Sequence, residues 1–134
     1  MNTFLDGRWS YRSFRQDPIV VKDGLVEGDP ELAAPWSPVG VLDVRTGETG
    51  EVSGTLSFAP GVALEVFGSI THATDTSPAS VSLVGQGLGS VNRIIGYFIP
   101  GSDHVVGSIL CTAHDLLKQP NGTIGPFVLF PMKE

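Results

Sequence analysis

The stretch that decides the fold runs from Asn92 to Leu116 and reads NRIIGYFIPGSDHVVGSILCTAHDL. Two apolar runs rich in Ile, Val, Tyr and Phe, Arg93 to Ile99 and His104 to Thr112, flank Pro100-Gly101-Ser102-Asp103. β-branched and aromatic residues on both sides of a Pro-Gly turn of about four residues predict a β-hairpin, since a parallel crossover needs a far longer connection. Neither run alternates cleanly. Ile94, Ile95, Phe98, Val105, Val106, Ile109 and Leu110 supply apolar side chains to both faces of the hairpin. A sheet with one face in water should alternate, so the outer face of 93–112 is expected to meet a second subunit, which makes the chain a homo-oligomer.

Outward from the hairpin, the chain reads as a series of strands. Gly7 to Arg15 places Trp9, Tyr11 and Ser13 on one face and Arg8, Ser10, Arg12 and Phe14 on the other. Val39 to Arg45, Glu51 to Phe58, Val62 to His72 and Ala79 to Leu88 follow, separated by turns such as Thr46–Gly50 and Ala59-Pro60-Gly61. Val52, Gly54, Leu56 and Phe58 oppose Glu51, Ser53, Thr55 and Ser57. Leu64, Val66, Gly68 and Ile70 likewise oppose Ala63, Glu65, Phe67 and Ser69. Phe127 to Met132 is the last strand. Ile19 to Val26 reads as a short edge segment, and Leu116-Leu117-Lys118 as a single helical turn. Pro30, Pro35 and Pro38 make 28–38 a loop.

About eight strands without a convincing helix, in a chain of 134 residues, predict one all-β domain over 1–134: an antiparallel, up-and-down β-barrel. Composition agrees. With 17 Gly and 10 Pro beside 41% hydrophobic and only 16% charged residues, the chain is too turn-rich for long helices and too apolar for disorder.

Gly7-Arg8-Trp9, a G-x-W at the start of the first strand, resembles the opening strand of the calycin group of barrels: lipocalins, fatty-acid-binding proteins and avidins. The length and strand count look most like the avidins. The resemblance implies a ligand-binding barrel in which Trp9 plugs the closed end. The avidins' run of biotin-contacting tryptophans and the later lipocalin motifs have no counterpart, so biotin does not carry over. A likeness of size and strand rhythm also extends to small-barrel cyclases and isomerases such as the allene oxide cyclases.

Charge narrows the partners. A net charge of −6 and a pI near 4.9 leave no basic face for nucleic acid. No apolar run is long enough for a membrane-spanning helix. A single cysteine, Cys111, excludes an intrachain disulfide framework and reads as a buried structural thiol. The N-terminus carries no signal-peptide pattern, so the cytoplasm is the expected compartment.

The functional expectation is a barrel that binds a small, mostly apolar molecule, with Tyr11, Trp36, His72 and Tyr97 as contacts. Tyrosines suit such a site because the ring packs while the hydroxyl finds a hydrogen bond. The alternatives are a cofactor-independent cyclase or isomerase in the same cavity, and a structural assembly module. For catalysis, Glu65, Tyr97 and His72 are the proton-transfer candidates. Glu65 is solvated if the Leu64 face is the core, and a desolvated acid with a raised pKa if its own face lines the lumen. His72, His104 and His114 are spaced too far apart along their strands to converge on a metal, and no cofactor motif is present.

Overall fold

The computed structural model describes residues 5–13, 15–16, 20–22, 25–27, 32–34, 39–87, 89–113 and 124–132. Twelve strands follow in chain order: β1 (Gly7–Ser13), β2 (Arg15–Gln16), β3 (Val20–Lys22), β4 (Leu25–Glu27), β5 (Leu32–Ala34), β6 (Gly40–Thr46), β7 (Glu51–Ala59), β8 (Val62–Thr71), β9 (Ser80–Gly87), β10 (Ser90–Phe98), β11 (Val105–Ala113) and β12 (Ile124–Pro131). Eight of them close an antiparallel barrel in the order β1-β6-β7-β8-β9-β10-β11-β12, because β12 pairs back onto β1 through Trp9↔Pro131 to Ser13↔Phe127. Each strand thus lies beside its chain neighbour, as an up-and-down meander requires, and no barrel edge is left unpaired.

The opening hairpin is β10–β11, paired from Phe98↔Val105 to Val91↔Ala113. Its turn is closed by the Ile99 N–H donating to the His104 carbonyl at 2.9 Å and the Ser102 N–H donating to the Ile99 carbonyl at 3.0 Å. Gly101 sits there at φ 81°, a conformation that glycine adopts without strain. The segment expected as an edge strand, Ile19 to Val26, instead supplies β3 and β4, which pair with each other as a separate two-stranded sheet. The barrel sheet is extended instead by β2, which pairs with β12, and by β5, which pairs with β2. The helical turn expected at 116–118 lies outside the described residues.

The register fixes the barrel's shape. From Gly7 the pairing runs through Val44, Gly54, Val66, Gly85, Asn92 and Cys111. Extended through the constant registers of β11–β12 and β12–β1, the circuit closes about ten residues beyond its start, which with eight strands corresponds to a tilt of about 40°. A barrel of this size has an interior that side chains can just fill or that one small ligand can occupy.

Alternation puts one face of every barrel strand inside. Trp9, Tyr11, Leu42, Val44, Val52, Leu56, Leu64, Val66, Val81, Leu83, Ile94, Val105, Phe127 and Leu129 are all at most 5% exposed. This burial is the main force holding the barrel closed, at roughly 1.5–3 kcal/mol for each large side chain removed from water. Strand coiling needs glycine where neighbours come closest. At Gly68 a Cβ would lie 2.0 Å from the Ser82 carbonyl oxygen, so β8 can press onto β9 only without one.

Candidate functional site

The two ends of the barrel differ in chemistry. At one end the turns are the short links β6–β7 and β10–β11 and the β8–β9 connection over 72–79. Trp9, 5% exposed, fills this end. Its Nε1–H donates to the Leu5 carbonyl at 2.9 Å, and its ring meets Phe98 edge-on at 6.0 Å. Leu5 is fully buried beneath it. An indole can close such an end because its bulk is apolar and its single donor needs only one acceptor.

At the other end β1 stops at Ser13 and β6 starts at Gly40, so the connection 14–39 both leaves from and returns to it. The connection 114–123 does the same between β11 and β12. Here the inward positions turn small and polar. Ser13, Ser90, Asn92 and Cys111 are buried, at 6%, 1%, 4% and 2% exposure, and the inward-facing Gly85 and Gly125 are buried between the strands that carry them. Asn92 is centred on this group, paired with Gly85 on β9 and Cys111 on β11. Its Nδ2 donates to Ser90 Oγ at 2.9 Å and, at the long limit of 3.5 Å, to the Gly85 carbonyl.

Both register shifts within the barrel fall at this end. One lies between Ser57 and Ala59 and sets Phe58 on a bulge; the other lies between Val91 and Asn92, opposite Thr112, whose Oγ1 donates to the Val91 carbonyl at 3.1 Å. Bulges at barrel rims re-aim side chains locally. Below them Tyr11 stacks on Phe127 at 5.9 Å and meets Phe58 edge-on at 5.9 Å. Leu64 and Ile94 complete an apolar floor, their tips being the groups nearest to Gly85. Burial pushes the Tyr11 hydroxyl up to about 12, a hydrogen bond with Ser13 offsetting part of the rise. The phenol is therefore neutral at physiological pH. Together, Asn92, Ser90, Ser13 and Tyr11 offer uncharged donors and acceptors above an aromatic and aliphatic surface.

Among the described residues, Tyr11 is the one ligand-binding or catalytic candidate from the sequence that is placed in the lumen. Leu64 is buried and Glu65 exposed, so Glu65 belongs to the solvated face and the condition for a desolvated acid is not met. Tyr97, 45% exposed, points outward from β10. His72 is exposed just past β8, at the Trp9 end. Trp36 and His114 lie outside the described residues, although each belongs to a connection that starts and finishes at the Asn92 end. His104 is exposed in the β10–β11 turn, 3.4 Å from Asp103. Among the described residues no group of His, Cys, Asp and Glu is arranged to hold a metal ion.

Sequence reasoning passed over Asn92, Ser90 and Ser13. A signal for the first two existed: Ser90, Asn92, Ile94, Gly96 and Phe98 share one face at a period of two, so an inward Ile94 carries Asn92 with it.

These features define the class, a closed, eight-stranded, antiparallel up-and-down β-barrel, an architecture it has in common with calycins. One end is sealed by a tryptophan and the other is lined by buried polar groups. No protein-family model matches the chain, and neither a curated protein nor a solved structure matches it at a significant level.

Proposed function

We propose that the protein binds a small, mostly apolar molecule at the Asn92 end of the barrel. Asn92 and Ser90 hydrogen-bond a neutral polar group of the ligand, a carbonyl or hydroxyl, and Tyr11, Phe58, Leu64 and Phe127 take its apolar part. The observation that carries this reading is the Asn92–Ser90 pair, buried in an otherwise apolar lumen, at the end where both bulges and both long connections gather. Buried amide and hydroxyl groups cost free energy that a fully apolar lumen avoids, which makes them expensive as mere filling and useful as anchors. Trp36, expected from the sequence as a contact, is a further candidate for the apolar part of the ligand. Binding rather than catalysis is favoured because the described lumen offers neutral hydrogen-bonding groups, with Glu65, Tyr97 and His72 all outside it.

The test is native mass spectrometry of the purified protein before and after organic extraction, followed by titration with an apolar fluorescent probe, anilinonaphthalene sulfonate, and competition by decanol. A retained compound, or saturable probe binding that decanol displaces, is expected. Asn92→Leu keeps the branching at Cγ and removes the polar group, and should weaken decanol competition about tenfold, the worth of one hydrogen bond at roughly 1.4 kcal/mol. Ser90→Ala serves if that variant fails to fold. No retained compound together with no saturable probe binding refutes the proposal.

A further inference from the structure

The outside of the barrel is as two-sided as its ends. On β6, β7 and β8 the outward positions are largely polar and exposed, Asp43, Arg45, Ser53, Thr55 and Glu65, with Phe67 the one large exposed apolar side chain among them. On β10, β11 and β12 the same outward positions carry Ile95, Tyr97, Val106, Leu110, Val128 and Phe130. Tyr97, Val106 and Val128 lie side by side in register across three strands, and Leu110 pairs with Ile124. Ile95 is 54% exposed, Tyr97 45%, Ile124 41% and Phe130 39%. From those fractions and whole-residue areas, with the half-buried Val106, Leu110 and Val128 added, the face presents roughly 500 Å² of apolar surface. That is near the upper end for the largest patch of a monomer and well over half of the about 800 Å² that each partner gives to a standard interface.

We propose that this face packs against the same face of a second copy of the chain in a two-fold dimer. Three features select that occupant. The barrel strands of this face are each paired on both sides, so here copies have no strand edge to join and meet face to face, as two packed sheets. The chain carries a net charge of −6, yet the only charged side chain pointing out among these residues is Arg93, so two such faces meet without the acidic repulsion that the β6–β8 side would bring. Arg93, with Arg12 of β1 beside Val128, falls short of the basic cluster that would direct the face to an anionic membrane surface, and its described outward positions carry no acidic residue that would suit a basic partner. A two-fold axis makes an apolar patch complementary to itself with no further requirement.

Sedimentation velocity from 1 to 100 µM tests this. The 14.1 kDa chain should sediment as a species of twice that mass, Ile95→Lys as a folded monomer, and Ser53→Lys, which adds the same charge to the polar side, as a dimer. Far-UV circular dichroism checks folding, and Tyr97→Ser replaces Ile95→Lys should the latter not fold. A wild-type monomer at 100 µM, a larger assembly, or a dimer that survives both face substitutions overturns the proposal.

Discussion

Replacing Trp9 by Phe probes the sealed end of the barrel with a loss that can be worked out in advance. The indole is 5% exposed, and its Nε1–H is 2.9 Å from the carbonyl oxygen of Leu5, a residue with no exposure at all. Phenylalanine keeps a ring but buries roughly 40 Å² less surface, worth about 1 kcal/mol. The smaller ring leaves about 40 Å³ unfilled, which adds about 1 kcal/mol if the walls stay put. The Leu5 carbonyl loses its partner where water cannot reach it, at a cost of about 1–3 kcal/mol. The total is about 3–5 kcal/mol, a large part of the stability of a domain this size. Urea unfolding followed by far-UV circular dichroism should show the midpoint falling with an unchanged slope, and the melting temperature dropping by about 10 °C. A loss below about 1 kcal/mol would refute the reasoning, because it would mean that the indole neither fills this end nor satisfies a buried carbonyl.

Two further outcomes follow from the lumen. Tyr11 holds its proton in the folded barrel to about 12, against 10.0 for an exposed tyrosine, so the unfolded chain ionises first and stability falls as pH rises from 10 to 12. The loss reaches about 2–3 kcal/mol. Tyr11→Phe should remove this tyrosine's share of that slope, and urea midpoints measured at pH 9 and 11.5 for both proteins check it; equal slopes would count against a buried phenol. Glycine substitutions should split by position. Gly68→Ala forces a Cβ to 2.0 Å from the Ser82 carbonyl and 2.8 Å from Leu83 Cα, both backbone, and should cost about 3 kcal/mol or more or prevent folding. Gly85→Ala meets side chains at ordinary contact distance, the tips of Leu64 and Ile94 at 3.5 and 3.6 Å and Leu64 Cβ at 3.8 Å, and should change stability by about 1 kcal/mol or less. Thermal melts of the two variants decide this.

Much of the fold was legible because strand alternation is a local property. Glu51 to Phe58 and Val62 to His72 showed by period alone which side chains share a face, and of these Val52, Leu56, Leu64, Val66 and Ile70 are buried. Pro100-Gly101 marked the hairpin turn for the same reason: a turn is chosen by the residues within it. The ends were harder. Asn92 sits in an apolar run whose two faces looked equally hydrophobic, so the period tied it to Ile94 without saying which face is inside, and the pairing of β10 with β9 and β11 decided that. Glu65 and Phe67 shared a face that periodicity could not assign to inside or outside, and the pairing of β8 with β7 and β9 assigned it to the outside.

The sequence by itself determined an all-β chain of about eight strands, the hairpin at its heart, the shared face of Trp9, Tyr11 and Ser13, and an apolar excess over 93–112. Each rests on neighbours within a few positions, where side-chain period and turn chemistry act. Tertiary structure alone decided that β12 returns to β1, that Ser13, Ser90, Asn92 and Cys111 gather at one end while Trp9 seals the other, and that Tyr97 and Glu65 face out. Those facts depend on a stagger accumulated over eight strand pairings. Closure is a property of the whole circuit, and no single segment encodes it.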